Sequence, residues 1–361
     1  MSDIQKIFQM YGSKYLALYG DRIPQSHKKT IRDIIACRNG LFGTMVYECS
    51  GCRNLHFIHC SCGNRHCPNC QQNKADQWLN QQMKKLLPTH YFLLTITLPQ
   101  TLRAVVRSNQ KQSYGALFSC TNYALKKLAR DKRFVGSDRI GYLAVLHTWG
   151  GKLQYHPHLH IVIAGGALSD NNQWLSSRQD LYVHTKPLEI IFKAKFKDAM
   201  KKAGLFDKID PAVWKQQWVI DSQAAGQGQN SLRYLSRYVF RVAGSNNRIK
   251  SIENDVIKFL YKDRKKKKWK FMALDAMEFI RRFLQHVLPK GFMKIRHFGF
   301  LNPNSALPIE KIRELISFIH DIIALFTEIK ELEIPGIKCS HCGHDLKFIL
   351  FVKPEPRRTP G

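Results

Sequence analysis

The stretch Tyr155-His156-Pro157-His158-Leu159-His160-Ile161-Val162-Ile163 decides the fold. Its second half is apolar and β-branched, the composition of a strand. A strand turns successive side chains to opposite faces, so His156, His158 and His160 share one face. Just upstream, residues 140–148 have the same strand character, and Trp149-Gly150-Gly151-Lys152-Leu153 between them reads as a short Gly-containing hairpin loop. The hairpin places the histidine strand at the centre of an antiparallel sheet and sets His147 on the neighbouring strand. Imidazoles side by side suit one divalent cation. A lone His-x-His is more often structural, so the weight of this reading rests on what accompanies it.

Its companion is Tyr234-Leu235-Ser236-Arg237-Tyr238. Residues four apart share a face of a helix, so the two phenols would present together. Asn230 or Ser231 could cap that helix, after a hinge-like break at Gly226-Gln227-Gly228. Such a pair alone is more often half of a buried core face. Beside a histidine metal site it is the equipment for cutting one nucleic-acid strand through a phosphotyrosine. Arg233, Arg237 and Arg241 are also four apart and make a basic stripe next to the phenols, fit to follow phosphates or simply to face water.

Charge supports a polyanionic partner. The 361 residues carry 57 Lys and Arg against 27 Asp and Glu, a formal charge of +30, and the pI is near 9.9. A membrane reading is weak: no run of about 18 apolar residues occurs, and the richest segment, residues 310–332, carries charges at helical intervals and reads as an amphipathic helix. No apolar run of secretory type follows the first residues, so a reducing compartment, the cytoplasm, is expected. There, ten cysteines mean metal rather than disulfides.

Seven of them fall within residues 37–70. Cys49-x2-Cys52 and Cys67-x2-Cys70 are fourteen residues apart, close to a two-knuckle Zn²⁺ pattern. Cys37, Cys60, Cys62, His56, His59 and His66 remain and suffice for a second zinc; Cys37, Cys62 and His66 are the candidates. Arg38, Arg53 and Arg65 lie among these ligands, placed to meet DNA or solvent. Cys339-x2-Cys342 is half a knuckle, able to complete a site with distant residues or to hold free thiols.

The rest of the chain alternates helix and strand. Helices are expected over residues 73–87, 101–130, 188–203 and 275–287, and strands at 91–98 and 218–220. A hairpin is expected at 256–261 and 269–272, around the basic run 262–268. No internal repeat or low-complexity tract occurs.

Five motifs now stand in order: Cys60-Ser61-Cys62-Gly63-Asn64-Arg65-His66-Cys67-Pro68-Asn69-Cys70-Gln71, His147-Thr148-Trp149-Gly150, the histidine strand, the two-tyrosine segment, and Arg281-Arg282-Phe283-Leu284-Gln285-His286-Val287-Leu288-Pro289-Lys290-Gly291-Phe292. Together they resemble rolling-circle insertion-sequence transposases, two-tyrosine members of the His-hydrophobe-His (HUH) nucleases with an N-terminal zinc-binding domain. The resemblance spans roughly residues 30–300. It implies an α+β fold: an HUH-type central antiparallel sheet with flanking helices, preceded by a small zinc-binding domain. It implies a division into residues 1–90 (zinc and DNA binding), 91–300 (nuclease) and 301–361 (a C-terminal helix and CxxC tail).

The resemblance assigns His158 and His160 as paired metal ligands and Tyr234 and Tyr238 as nucleophiles. It leaves His156 and His147 as equal candidates for the third ligand. The ion expected there is Mg²⁺ or Mn²⁺, since imidazoles with open positions suit phosphodiester activation better than a closed thiolate cage. The DNA expected is a transposon end, single-stranded or hairpin, bound in the bacterial cytoplasm at the nucleoid. A plasmid replication initiator or relaxase would share the chemistry. A non-catalytic zinc-finger protein would explain the charge and cysteines but leave the histidine strand idle. A histidine metal hydrolase would not explain the charge.

Overall fold

The computed structural model describes residues 2–239, 248–263, 268–319 and 336–354, without the side chains of Gln72, Asn73, Arg237, Tyr238 and Ile319. Helices α1 (Asp3–Tyr19) and α2 (Gln25–Ile35) open the chain, followed by β1 (Thr44–Cys49), β2 (Leu55–His59) and α3 (Gln72–Met83). Next come β3 (Tyr91–Thr97), α4 (Arg103–Ser108), α5 (Gln110–Ala129), β4 (Arg139–Trp149), β5 (Tyr155–Leu168) and β6 (Trp174–Ser176). Then follow α6 (Thr185–Lys202), α7 (Ala212–Lys215), β7 (Val219–Ala224) and α8 (Gln229–Val239). The described chain closes with β8 (Ile249–Glu253), β9 (Val256–Lys262), β10 (Trp269–Asp275), α9 (Ala276–Leu284), β11 (Ile295–Gly299), α10 (Ile309–Ile319) and β12 (Leu346–Val352). The fold is α+β with antiparallel sheets. No helix among the described residues is long and apolar enough to cross a membrane.

Two compact units form. One draws on residues 1–74, 240–287 and 330–361, the other on 75–239 and 288–329. In the first, Ile4, Ile7 and Phe8 of α1 and Ile31 and Ile34 of α2 are buried, and Phe8 meets Phe283 of α9 edge-on at 5.0 Å. A sheet of order β12-β1-β2 and another of order β10-β9-β8 complete it.

The second unit is built on a sheet of order β11-β4-β5-β3-β7, with β6 added to β5. The hairpin and the central position of β5 are as the sequence predicts. Leu159, Ile161 and Ile163 of β5, Tyr142, Ala144 and Leu146 of β4 and Phe92, Leu94 and Ile96 of β3 belong to one buried cluster with Phe118 and Leu125 of α5 and Phe192 and Phe196 of α6. Period two therefore sends the alternate set, His158 and His160 with His147, to the opposite face. Trp218 closes the cluster, edge-on to Phe192 at 5.7 Å and Phe196 at 5.6 Å. Each such pair contributes about 0.5–1.5 kcal/mol beyond its buried area.

Two expectations change in detail. The helix expected over residues 101–130 breaks at Asn109, whose backbone leaves the helical region (φ −128°, ψ 49°) and whose side-chain amide donates to the Val105 carbonyl at 3.0 Å. Asparagine offers the backbone a local alternative to the helix. The tyrosine helix starts before its expected caps: the Leu232 N–H donates to the Gly228 carbonyl at 3.0 Å. Gly228 has φ +80° and lies so close to Tyr91 that an added Cβ would be 2.8 Å from its ring, so only glycine fits there. The loop at residues 244–247, the basic run at 264–267 and the helix beyond residue 319 fall outside the described residues.

Glu189 of α6 ties the helix layer to β7. Its buried carboxylate accepts from Lys186 Nζ (2.8 Å), Lys193 Nζ (3.0 Å) and the Trp218 N–H (3.1 Å). Burial pushes its pKa up, but these donors outweigh burial and hold it below the ordinary glutamate value. A depressed folded-state pKa contributes stability above the unfolded value, lost as pH falls through the folded one. Glu189→Gln is expected to lower unfolding stability by about 1–3 kcal/mol at neutral pH. The difference from the parent should shrink in acid below roughly pH 4.5, as urea titrations at several pH values would read.

Candidate metal centres and the tyrosine helix

The register of three strands assembles the histidines. His147 on β4 stands directly opposite His158 on β5, and Thr95 on β3 stands opposite His160. One ring nitrogen each from His147, His158 and His160 lies within 4.8 Å of the others, and all three residues are buried. The His158 Nδ1–H donates to the His156 carbonyl at 2.7 Å, and His160 Nδ1 bonds Thr95 Oγ1 at 3.1 Å. Both contacts leave Nε2 for a metal, the arrangement that fixes a ligating tautomer. Burial first, then the rings of His160 and His158 and the Lys294 ammonium, hold His147 far below the usual histidine range. It is a neutral lone-pair donor at physiological pH. The three imidazoles fit a divalent ion with open positions.

Of the two candidates for the third place, His147 joins this set. His156 is engaged elsewhere: its Nδ1 accepts from the Arg103 guanidinium at 2.6 Å. The sequence could not separate them, because alternation favoured His156 and only the pairing register of β4 brings His147 across.

Helix α8 packs on the histidine face. The Tyr234 ring is edge-on to His160 with centroids 5.7 Å apart, yet Tyr234 is 38% exposed. An open cavity of about 360 Å³ lies beside it, lined by Leu93, Gln223, Gly226, Gln229, Asn230 and Tyr234 among others. A half-exposed phenol at the mouth of a groove is reachable by a large substrate. Tyr238 and Arg237 lie on the same helix, but their side chains are outside the description, as is the whole of Arg241. Arg233 is exposed on α8. Lys294 ties the last described turn of this helix to the sheet: Nζ donates to the Val239 carbonyl at 2.9 Å and sits 4.6 Å over the Trp149 ring, which stacks on His147 at 5.2 Å. Asp221 on β7, not singled out from the sequence, faces Thr95 and so adds a carboxylate to the histidine face.

The cysteines fall into two clusters. Cys37, Cys62, Cys67 and Cys70 form one, and Cys49, Cys52, Cys339 and Cys342 the other, each with all four sulfurs within 4.8 Å. The structure thus separates the two pairs expected to share a zinc, and gives each new partners. In the second cluster Sγ–Sγ distances are 3.3 Å for Cys49–Cys342 and 3.7 Å for Cys52–Cys339. In the first they are 3.6 Å for Cys37–Cys70 and 3.5 Å for Cys62–Cys70. A tetrahedral zinc with bonds of about 2.3 Å sets its sulfurs about 3.8 Å apart, whereas a disulfide needs about 2.05 Å.

The two knuckles of the second cluster repeat one local geometry. The Arg53 N–H donates to the Cys49 carbonyl and the Gly343 N–H to the Cys339 carbonyl; the Cys49 N–H donates to Asn54 and the Cys339 N–H to His344. Arg53 and Gly343 both have positive φ, 60° and 77°. Burial pushes the Cys49 thiol up, but the N–H groups of Cys52 and Gly51 outweigh it and bring the pKa down to about 6, poised for a thiolate ligand. His56 Nε2 is 3.2 Å from Cys339 Sγ at the rim. His66 and Cys60 stand outside both clusters; the His66 N–H donates to Asn64 Oδ1. Of the arginines among the ligands, Arg53 pairs with Glu48 at 3.1 Å.

These features match known proteins. A family described as "Transposase zinc-binding domain" matches residues 7–98, and one described as "Putative transposase" matches residues 141–306. The chain is 35% identical over 320 residues to the putative transposase y4qJ of Sinorhizobium fredii, covering 83% of this chain and 80% of that one. It is 26% identical over 298 residues to the transposase for insertion sequence element IS801 of Pseudomonas savastanoi pv. phaseolicola, covering 76% and 70%. No solved structure matches. The matches define a transposase with a zinc-binding domain, a protein that acts on DNA. The chain belongs to the IS91/IS801 family of transposases.

Metal analysis of protein purified without chelator should find two zinc ions per chain. Cys339→Ser should remove one and leave the other, and Cys67→Ser the reverse. Retention of both ions in Cys339→Ser would contradict the second cluster.

Proposed function

We propose that this transposase works by rolling-circle-type cleavage and transfer of single DNA strands through a 5′-phosphotyrosine on α8. The observation that carries the reading is the Tyr234 ring edge-on to His160, on the face that His147 and His158 share. His147, His158 and His160 would hold Mg²⁺ or Mn²⁺, and a bound ion of this kind polarises a nonbridging phosphate oxygen. Thr95 and the His156 carbonyl keep His160 and His158 in the tautomer that presents Nε2. Lys294 and Trp149 hold α8 against the histidines.

The phenol oxygen of Tyr234 attacks phosphorus and loses its proton. The bond from phosphorus to the 3′ oxygen breaks, and that oxygen leaves as a 3′-hydroxyl. The products are a phosphotyrosyl ester, which keeps the energy of the broken bond, and a free hydroxyl that can prime synthesis or attack the next junction. Tyr238, one turn along α8, serves as the second nucleophile that strand transfer requires. Arg233, with Arg237 and Arg241, follows the phosphates of the bound strand.

The substrate is a single-stranded or hairpin transposon end, since the phosphate must enter a groove between sheet and helix. Nuclease work falls to the span 91–300, DNA binding to the zinc-bearing span 1–90, and residues 301–361 contribute two thiolates. The transposase names of both relatives favour transposition over plasmid replication or conjugation.

Replacing His147, His158 or His160 by Ala should slow cleavage of a single-stranded end by about 100-fold or more while sparing binding, because the loss is of charge stabilisation in the transition state. Tyr234→Phe/Tyr238→Phe should abolish cleavage. Cleavage by that double variant at the parental rate would mean that water, not tyrosine, is the nucleophile. Binding should weaken steeply with salt.

A further inference from the structure

Outside the nuclease face, the sheet of β8, β9 and β10 presents two large aromatic rings to solvent. Its inner face is ordinary: Ile257, Phe259 and Tyr261 are buried, and Phe259 meets Phe279 of α9 at 6.2 Å. Its outer face is not. Trp269 is 56% exposed and Phe271 70% exposed, and residues two apart on a strand point the same way. The register sets Lys262 opposite Trp269, Leu260 opposite Phe271 and Lys258 opposite Ala273. Both lysines are exposed, and the Arg248 guanidinium carbon lies 5.8 Å from the Trp269 ring centroid. None of these seven side chains is acidic.

We propose that this face is a stacking platform for unpaired DNA bases, separate from the nuclease centre. Burying two aromatic rings is the ordinary way to use them, and leaving both exposed forgoes that stabilisation. A flat ring flanked by cations fits a base with its phosphate: the base face stacks on the ring, and the lysines meet the backbone. Trp269 and Phe271 are about 7 Å apart along the strand, twice the 3.4 Å repeat of stacked bases. Only an extended strand can lay one base on each ring, and a duplex hides its base faces. The surplus of +30 favours this polyanion over an apolar protein partner.

Equilibrium binding of the full-length, zinc-loaded chain tests the proposal without added Mg²⁺, so its outcome is independent of the nuclease reading. Trp269→Ala/Phe271→Ala should bind an oligo-dT of about twenty nucleotides at least tenfold more weakly, with little change on a duplex of the same length. Trp269→Tyr, which keeps a ring, should bind nearly as the parent does. Thermal melting of the variants checks that the fold is retained. Ultraviolet crosslinking of the unaltered chain to oligonucleotides carrying 5-iodouracil should join them at Trp269 or Phe271. Parental affinity of the double alanine variant for oligo-dT, equal losses on both DNA forms, or crosslinks only elsewhere would overturn it.

Discussion

The register in which β5 pairs with β4 and β3 is the constraint on which the histidine cluster depends. It sets His158 against His147 and His160 against Thr95. A slip of one residue would turn the histidines into the helix layer and send Leu159, Ile161 and Ile163 to the other face. Each of those side chains is worth about 1.5–3 kcal/mol when buried, so the slip would cost an amount comparable with a domain's usual net stability of about 5–15 kcal/mol. The apolar half of the strand thus holds the polar half in place. The three histidines need no stabilising contribution of their own to be positioned.

A different force holds the zinc-bearing unit together. β12 pairs with β1 over residues 346–352, yet nearly all its side chains are exposed, so burial contributes little to keeping it there. The sulfurs of Cys339 and Cys342 meet those of Cys49 and Cys52 at the end of this pairing. A structural zinc contributes about 10–16 kcal/mol of binding free energy, far more than an exposed strand can lose. The cluster therefore joins two ends of the chain that local sequence does not connect. The unit's core, by contrast, rests on the apolar faces of α1, α2 and α9.

Local period and local chemistry were legible in the sequence: the hairpin, the central histidine strand, the tyrosine helix, β9 with β10, and cysteines gathered in clusters rather than disulfides. What was not legible is whatever depends on partners far along the chain. Alternation made His156 as good a ligand as His147, and only strand pairing decided between them. The spacing of Cys49, Cys52, Cys67 and Cys70 suggested one shared zinc, whereas Cys37 at the end of α2 and Cys339 and Cys342 near the C-terminal end divide them. Strands β1 and β2, of six and five residues, carry too few residues for a period to show, and β12 is an unbroken apolar run after Lys347 rather than an alternation. Helix α1 does carry a local signal, with Ile4, Ile7, Phe8, Tyr11 and Tyr15 at helical spacing on its buried face.

The central claim is that a tyrosine of α8 becomes covalently joined to DNA. Incubating the chain with a single-stranded transposon end and Mg²⁺, digesting DNA and protein, and sequencing the nucleotide-bearing peptide by mass spectrometry tests it directly. The account predicts one phosphorylated peptide, from residues 229–239, with the nucleotide attached through its 5′ phosphate at Tyr234 or Tyr238. Attachment through a 3′ phosphate, attachment at a residue off α8, or cleaved DNA with no nucleotide-bearing peptide would contradict it.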